Sequence, residues 1–156
     1  MSKEIAQGLF ETGRGHAMAA QLLYLAALDK GEEEGKADPD QFAFNGVYSL
    51  SIHHLVGLGF ELMLKAAYVA LGGDPDDGHL QRAIGHDLRA ALDLAGEQGF
   101  HSTAHHLPEI VDILRDPYKA HYFRYHRPET FPLPDFANLE QALVTLAGEV
   151  EVVCAH

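Results

Sequence analysis

Cysteine is nearly missing from this sequence: one residue, Cys154, stands among 156. A single thiol cannot close an internal disulfide or supply a cysteine-rich zinc site, and its place in the last apolar turn suits a small hydrophobe in a reducing cytoplasm. Positive charge is also scarce. Eleven Lys and Arg face 23 Asp and Glu, a formal charge of −12, so the field of the whole molecule repels polyanions. This argues against broad, non-specific binding to nucleic acid or to an anionic membrane, and any anion site must be local.

Other signals are missing too. The opening MSKEIAQGLFETGRGH lacks the unbroken apolar core of a signal peptide. Phe42 to Phe60 carries no charge, yet Asn45, Ser49, Ser51, His53, His54 and three glycines make it too polar for a membrane span and better suited to a buried helix. Neither GxSxG nor GxxxxGK[ST] occurs, which removes the serine-hydrolase and P-loop readings. Internal repeats are lacking, and so is the period-two alternation of half-buried strands.

What is present is helical periodicity, in a composition that is 47% hydrophobic and 22% charged, enough for one globular core over residues 1–156. Loop-forming clusters at GEEEGKADPD, GGDPDDG, EQGFHST and RPETFPLPD separate five helical segments. The first runs from about Lys3 to Leu28, with Gly31 as its stop. The second, about Gln41 to Leu71, is apolar on nearly all sides, as a helix surrounded by others must be. The third spans Asp87 to Gln98 before Gly99, with room for an extra turn at HLQRAIG. The fourth starts at Pro108 and is expected to end at Asp116, where Pro117 follows. The fifth begins after Asp135 and sets Phe136, Leu139, Leu143, Leu146, Val150 and Val153 at three- and four-residue steps. The expected fold is all-α: a four- to five-helix, mainly antiparallel bundle forming one domain.

Chemistry-bearing residues fall in three places. From Gln41 to Gly73 the only charges are Glu61 and Lys65, spaced i, i+4 with the acid N-terminal, the favourable order for a pair. Buried charges must be neutralised, so the two are expected to meet in a structural polar network. GHDL, Gly85 to Leu88, offers Asp87 or His86 as a cap for the third helix, and His86 as a third member turned toward Glu61. The third place, Arg115 to Pro128, holds four of the eleven cations, three of six Tyr and two of eleven His. There Arg124, His126, Arg127 and Tyr118 form a candidate substrate-binding set of the kind that holds phosphate and stacks bases, while an aromatic plug under a loop is the structural alternative.

His53–His54 and the segment 101–106 raise a metal alternative, a His-rich metal-binding bundle, because His101 and His105 stand i, i+4. Pro108 works against one helix carrying both, and neither HExxH nor a cysteine cluster supports a site, so no metal and no cofactor is expected.

Taken together, FELMLKAAYVALGG, GHDLRAALDLAGEQG and HYFRYHRP resemble, in order and spacing over roughly Val47 to Pro128, the HEPN superfamily of small prokaryotic helical domains. The resemblance implies a bundle of four or five helices and a homodimer. It also implies either a metal-independent endoribonuclease of a toxin–antitoxin or defence system, or a non-catalytic interaction module whose partner is an antitoxin, a nucleotidyltransferase or RNA. Nuclease members carry an Arg, a polar residue and a His after a short gap, a pattern that RDPYKAH matches with Arg115, Asp116 and His121; the resemblance makes Arg115 and His121 the catalytic pair. A guanidinium grips phosphate with parallel hydrogen bonds and an imidazole titrates near neutrality, so such a pair needs no metal. Residues six apart on one helix lie about 120° from facing the same way, so the pair can share a site only if the helix breaks between them.

Overall fold

The computed structural model describes residues 1–120 and 136–156. These form seven helices and no strand: α1 Ser2–Glu33, α2 Pro39–Asn45, α3 Ser49–Ala70, α4 Asp77–Ala83, α5 Leu88–Glu97, α6 Leu107–Lys119 and α7 Phe136–Ala155. The fold is all-α among the described residues, with α3 at its centre. α1 packs along α3 more extensively than any other element, and α2, α5, α6 and α7 also lie against it. Ile52, Val56, Phe60, Met63 and Leu64 of α3 are wholly buried, which accounts for a helix apolar on nearly all sides. No single described helix is long and apolar enough to cross a membrane; α2 and α3 pass that test only as a pair bent by 65°.

Two boundaries differ from expectation. α1 does not stop at Gly31 but continues to Glu33, where Gly35 takes a left-handed conformation (φ 67°) and the Lys36 amide donates to the Gly31 carbonyl at 2.9 Å. This is a glycine-terminated C-cap, one turn later than expected. Gly31 itself is buried, because a β-carbon there would sit 2.8 Å from the Phe42 ring. The segment 41–71 is two helices rather than one. Gly46 ends α2 in an extended conformation so close to the Phe42 carbonyl that a β-carbon would lie 1.9 Å from its oxygen. Asp38 caps α2 by accepting from the Gln41 amide, and Pro39 fills the first turn.

Close approach of α1 to α3 depends on missing side chains. A β-carbon on Gly13 would lie 2.9 Å from the Met63 backbone nitrogen, and one on Gly59 would lie 3.2 Å from the Ala17 β-carbon. Gly8, on the same helix, has nothing within 4 Å of such an atom. Gly13→Ala is therefore expected to destabilise the protein by about 1–3 kcal/mol through overpacking. Gly8→Ala should be neutral or stabilising by up to about 1 kcal/mol. Urea unfolding of both variants checks this, and equal midpoints would contradict it.

Candidate functional site

His54, Gly57, Glu61 and Lys65 recur along α3 at three- and four-residue steps and so share one face. Tyr118 of α6 lies along that face. Its ring fills the space over Gly57, where a β-carbon would come within 2.3 Å of it, and its hydroxyl donates to Glu61 Oε2 at 2.5 Å. The His54 and Tyr118 rings stand 6.0 Å apart. Glycine at 57 is thus the condition for a tyrosine on α6 to reach a carboxylate on α3.

Glu61 is 3% exposed and is bound on both oxygens. Lys65 Nζ donates to Oε1 at 2.6 Å and also to the Gly85 carbonyl at 2.9 Å. His86 Nδ1 lies 2.9 Å from Oε2, and because a carboxylate only accepts, that nitrogen carries the proton. Burial alone would raise the Glu61 pKa, but hydrogen bonds from Lys65, Tyr118 and His86 outweigh it and hold the carboxyl below the ordinary glutamate range. The loop presenting His86 turns at Gly85 in a left-handed conformation (φ 55°) suited to glycine. The structure therefore brings Glu61, Lys65 and His86 together and adds Tyr118 to them.

Beside this network lies a second carboxylate. Asp87 caps α5, its Oδ1 accepting from the amides of Arg89 and Ala90. Arg115 grips the same carboxylate with two parallel bonds, Nε to Oδ1 at 3.0 Å and Nη2 to Oδ2 at 2.9 Å, and Lys119 Nζ reaches Oδ2 at 2.9 Å. Burial would raise the Asp87 pKa, yet these donors hold it far below the usual carboxylate range. Arg115 and Lys119 keep 43% and 56% of their side chains exposed, and His86 keeps 33%. Two part-exposed cations thus sit on Asp87, and the residue before it is the part-exposed His86.

The expected end of the fourth segment at Asp116 is corrected here: α6 runs through Pro117 to Lys119. Pro117 removes one backbone bond near the helix end, where little ladder remains beyond it, and the turn is held by the contacts of Arg115, Tyr118 and Lys119 with the α3 and α5 carboxylates. The helix therefore does not break between Asp116 and Pro117. His121, Arg124, His126 and Arg127 lie outside the described residues. Tyr118, expected on a substrate-binding surface, is instead buried, 3% exposed.

The histidine-rich segments separate. His53 is buried with Nε2 3.1 Å from the Phe44 carbonyl, and burial lowers its pKa to about 4. His101 and His105 fall in the non-helical stretch before α6, and among the described residues no three His, Cys, Asp or Glu side chains are grouped to hold a metal ion. Asp87 as the link between α5 and α6 was not foreseen. Its signal was the i, i+4 pair Arg115–Lys119, which shares a helix face only if the helix passes Pro117.

Comparison with protein-family models, curated proteins and solved structures finds no match to this chain.

Glu61→Gln leaves a buried ammonium without its counter-charge and is expected to cost about 3–5 kcal/mol at pH 7. Tyr118→Phe, which removes one bond to a charged acceptor, should cost about 1.5–3 kcal/mol. Because the folded-state pKa of Glu61 is depressed, its contribution is full above the unfolded value of about 4.3 and is lost as pH falls below it. The gap between wild type and Glu61→Gln in urea unfolding should therefore narrow from pH 7 toward pH 3. A constant gap would contradict the assignment.

Proposed function

We propose that the chain is a single HEPN-like domain, a bundle of four to five main helices, that acts on RNA in the cytoplasm without a metal. The supporting observation is the cluster of Arg115, Lys119 and His86, all part-exposed, around one carboxylate and next to a buried one that orients the imidazole. In this reading Arg115 and Lys119 hold a phosphodiester, and Arg124, His126 and Arg127 guide the strand. An imidazole takes the proton of the 2′-OH, O2′ bonds to phosphorus, and the P–O5′ bond breaks as the leaving oxygen takes up a proton. The resemblance gives the imidazole role to His121; among the described residues His86, next in sequence to the Asp87 that Arg115 grips, is the other candidate.

A second reading, a non-catalytic module that binds RNA or a partner protein through the same surface, is favoured by one feature. Arg115 spends both Nε and Nη2 on Asp87, as a structural tie does.

Incubating the protein with RNA in EDTA, beside Arg115→Ala, His121→Ala and His86→Ala, tests the two readings. The nuclease reading expects cleavage in EDTA that falls by roughly 100-fold or more when the general-base imidazole is removed. Cleavage unchanged in all three variants, or abolished by EDTA, would sink it. RNA bound but uncut, with affinity lost in Lys119→Ala, would establish the module instead.

A further inference from the structure

α1 carries large apolar side chains on the side away from α3. Met18, Leu22 and Leu25 are 53%, 68% and 48% exposed. Their spacing of four and three residues sets them in one narrow strip along the helix, the spacing of a helix–helix seam. Arg14 and Asp29 continue the strip at its two ends, and both are exposed. The five residues fall within an arc of about 80° at 100° per residue, and the strip from Arg14 to Asp29 is about 22 Å long. Next to it, between α1 and α7, runs an apolar groove of about 310 Å³ floored by Ala17, Ala147 and Gly148, with exposed Val144 on its edge. Contiguous exposed apolar surface of this kind marks an interaction face.

The strip is complementary to itself. When two copies of α1 are laid antiparallel about a twofold axis midway between residues 21 and 22, each residue meets the one whose number completes 43. Met18 then faces Leu25 of the second copy, Leu22 lies beside its own symmetry mate, and Arg14 faces Asp29 of the second copy. The apolar contact is therefore closed at both ends by an opposite-charge pair, which a parallel arrangement in register would replace with Arg14 against Arg14 and Asp29 against Asp29. Arg14 now pairs with Glu151 at 3.5 Å, but both side chains are at least half exposed, so little holds it there. Farther out Glu11 would meet Glu32, and the crossing angle of packed helices carries those positions apart.

We propose that α1 is a homodimer seam in which a second copy of this chain packs antiparallel on Met18, Leu22 and Leu25, locked by two Arg14–Asp29 pairs between copies. This names a surface and a partner without depending on what the Arg115 cluster does.

Sedimentation velocity of the full chain at several concentrations tests the proposal. The wild type is expected at twice the 17.1 kDa chain mass. Leu22→Asp should return it to the monomer with its helical circular dichroism unchanged. Arg14→Glu should weaken dimerisation by roughly tenfold or more by opposing like charges, and adding Asp29→Arg should restore it. Leu22→Cys should cross-link copies under mild oxidation, since the native Cys154 is buried, 3% exposed. A monomer at every concentration would overturn the proposal, as would a dimer indifferent to Leu22→Asp and to Arg14→Glu.

Discussion

Glu61 is an ionised carboxylate in the middle of the central helix, 3% exposed, and every nearby feature is arranged to keep it so. An isolated buried carboxylate is costly enough that it would take up a proton instead. Here Lys65 neutralises it from the same helix, while His86 comes from the loop before α5 and Tyr118 from α6. Three separate parts of the chain therefore converge on one charge. Apolar packing alone leaves helices free to slide by a turn; a charge that must receive these particular donors fixes the register of α6 on α3.

That register places the surface chemistry. With Tyr118 docked over Gly57, the i, i+4 cations Arg115 and Lys119 fall on Asp87 rather than on solvent. Since His86 and Asp87 are consecutive, the residue that binds the inner carboxylate stands next in the chain to the one that carries the outer carboxylate. Along α6 itself Glu109, Asp112 and Asp116 outnumber Arg115 and Lys119, and Asp87 pairs with the two cations where they stand.

The all-α character, the buried central helix, the Glu61–Lys65 contact and the Asp87 cap were legible because each depends on local spacing or on the chemistry of a single position. The rest depends on partners distant in sequence. Gly46 reads as one more glycine in an apolar run until the Phe42 carbonyl is placed against it, and Gly31 reads as a helix stop until the Phe42 ring is. Pro117 reads as a helix end because a proline's local effect is to break the ladder; the ties from Arg115, Tyr118 and Lys119 that carry the helix past it come from α3 and the α5 cap. For the same reason the sequence left Tyr118 between a substrate-binding set and an aromatic plug, when it is buried and closes the Glu61 network.

Following the Glu61 side-chain carboxyl carbon by ¹³C NMR across acid pH tests this account most directly. If Lys65, His86 and Tyr118 stabilise the charge more than burial opposes it, the resonance will titrate below the ordinary glutamate value of about 4.3, and Tyr118→Phe will move the midpoint upward. A wild-type midpoint at or above that value, unmoved by Tyr118→Phe, would contradict it.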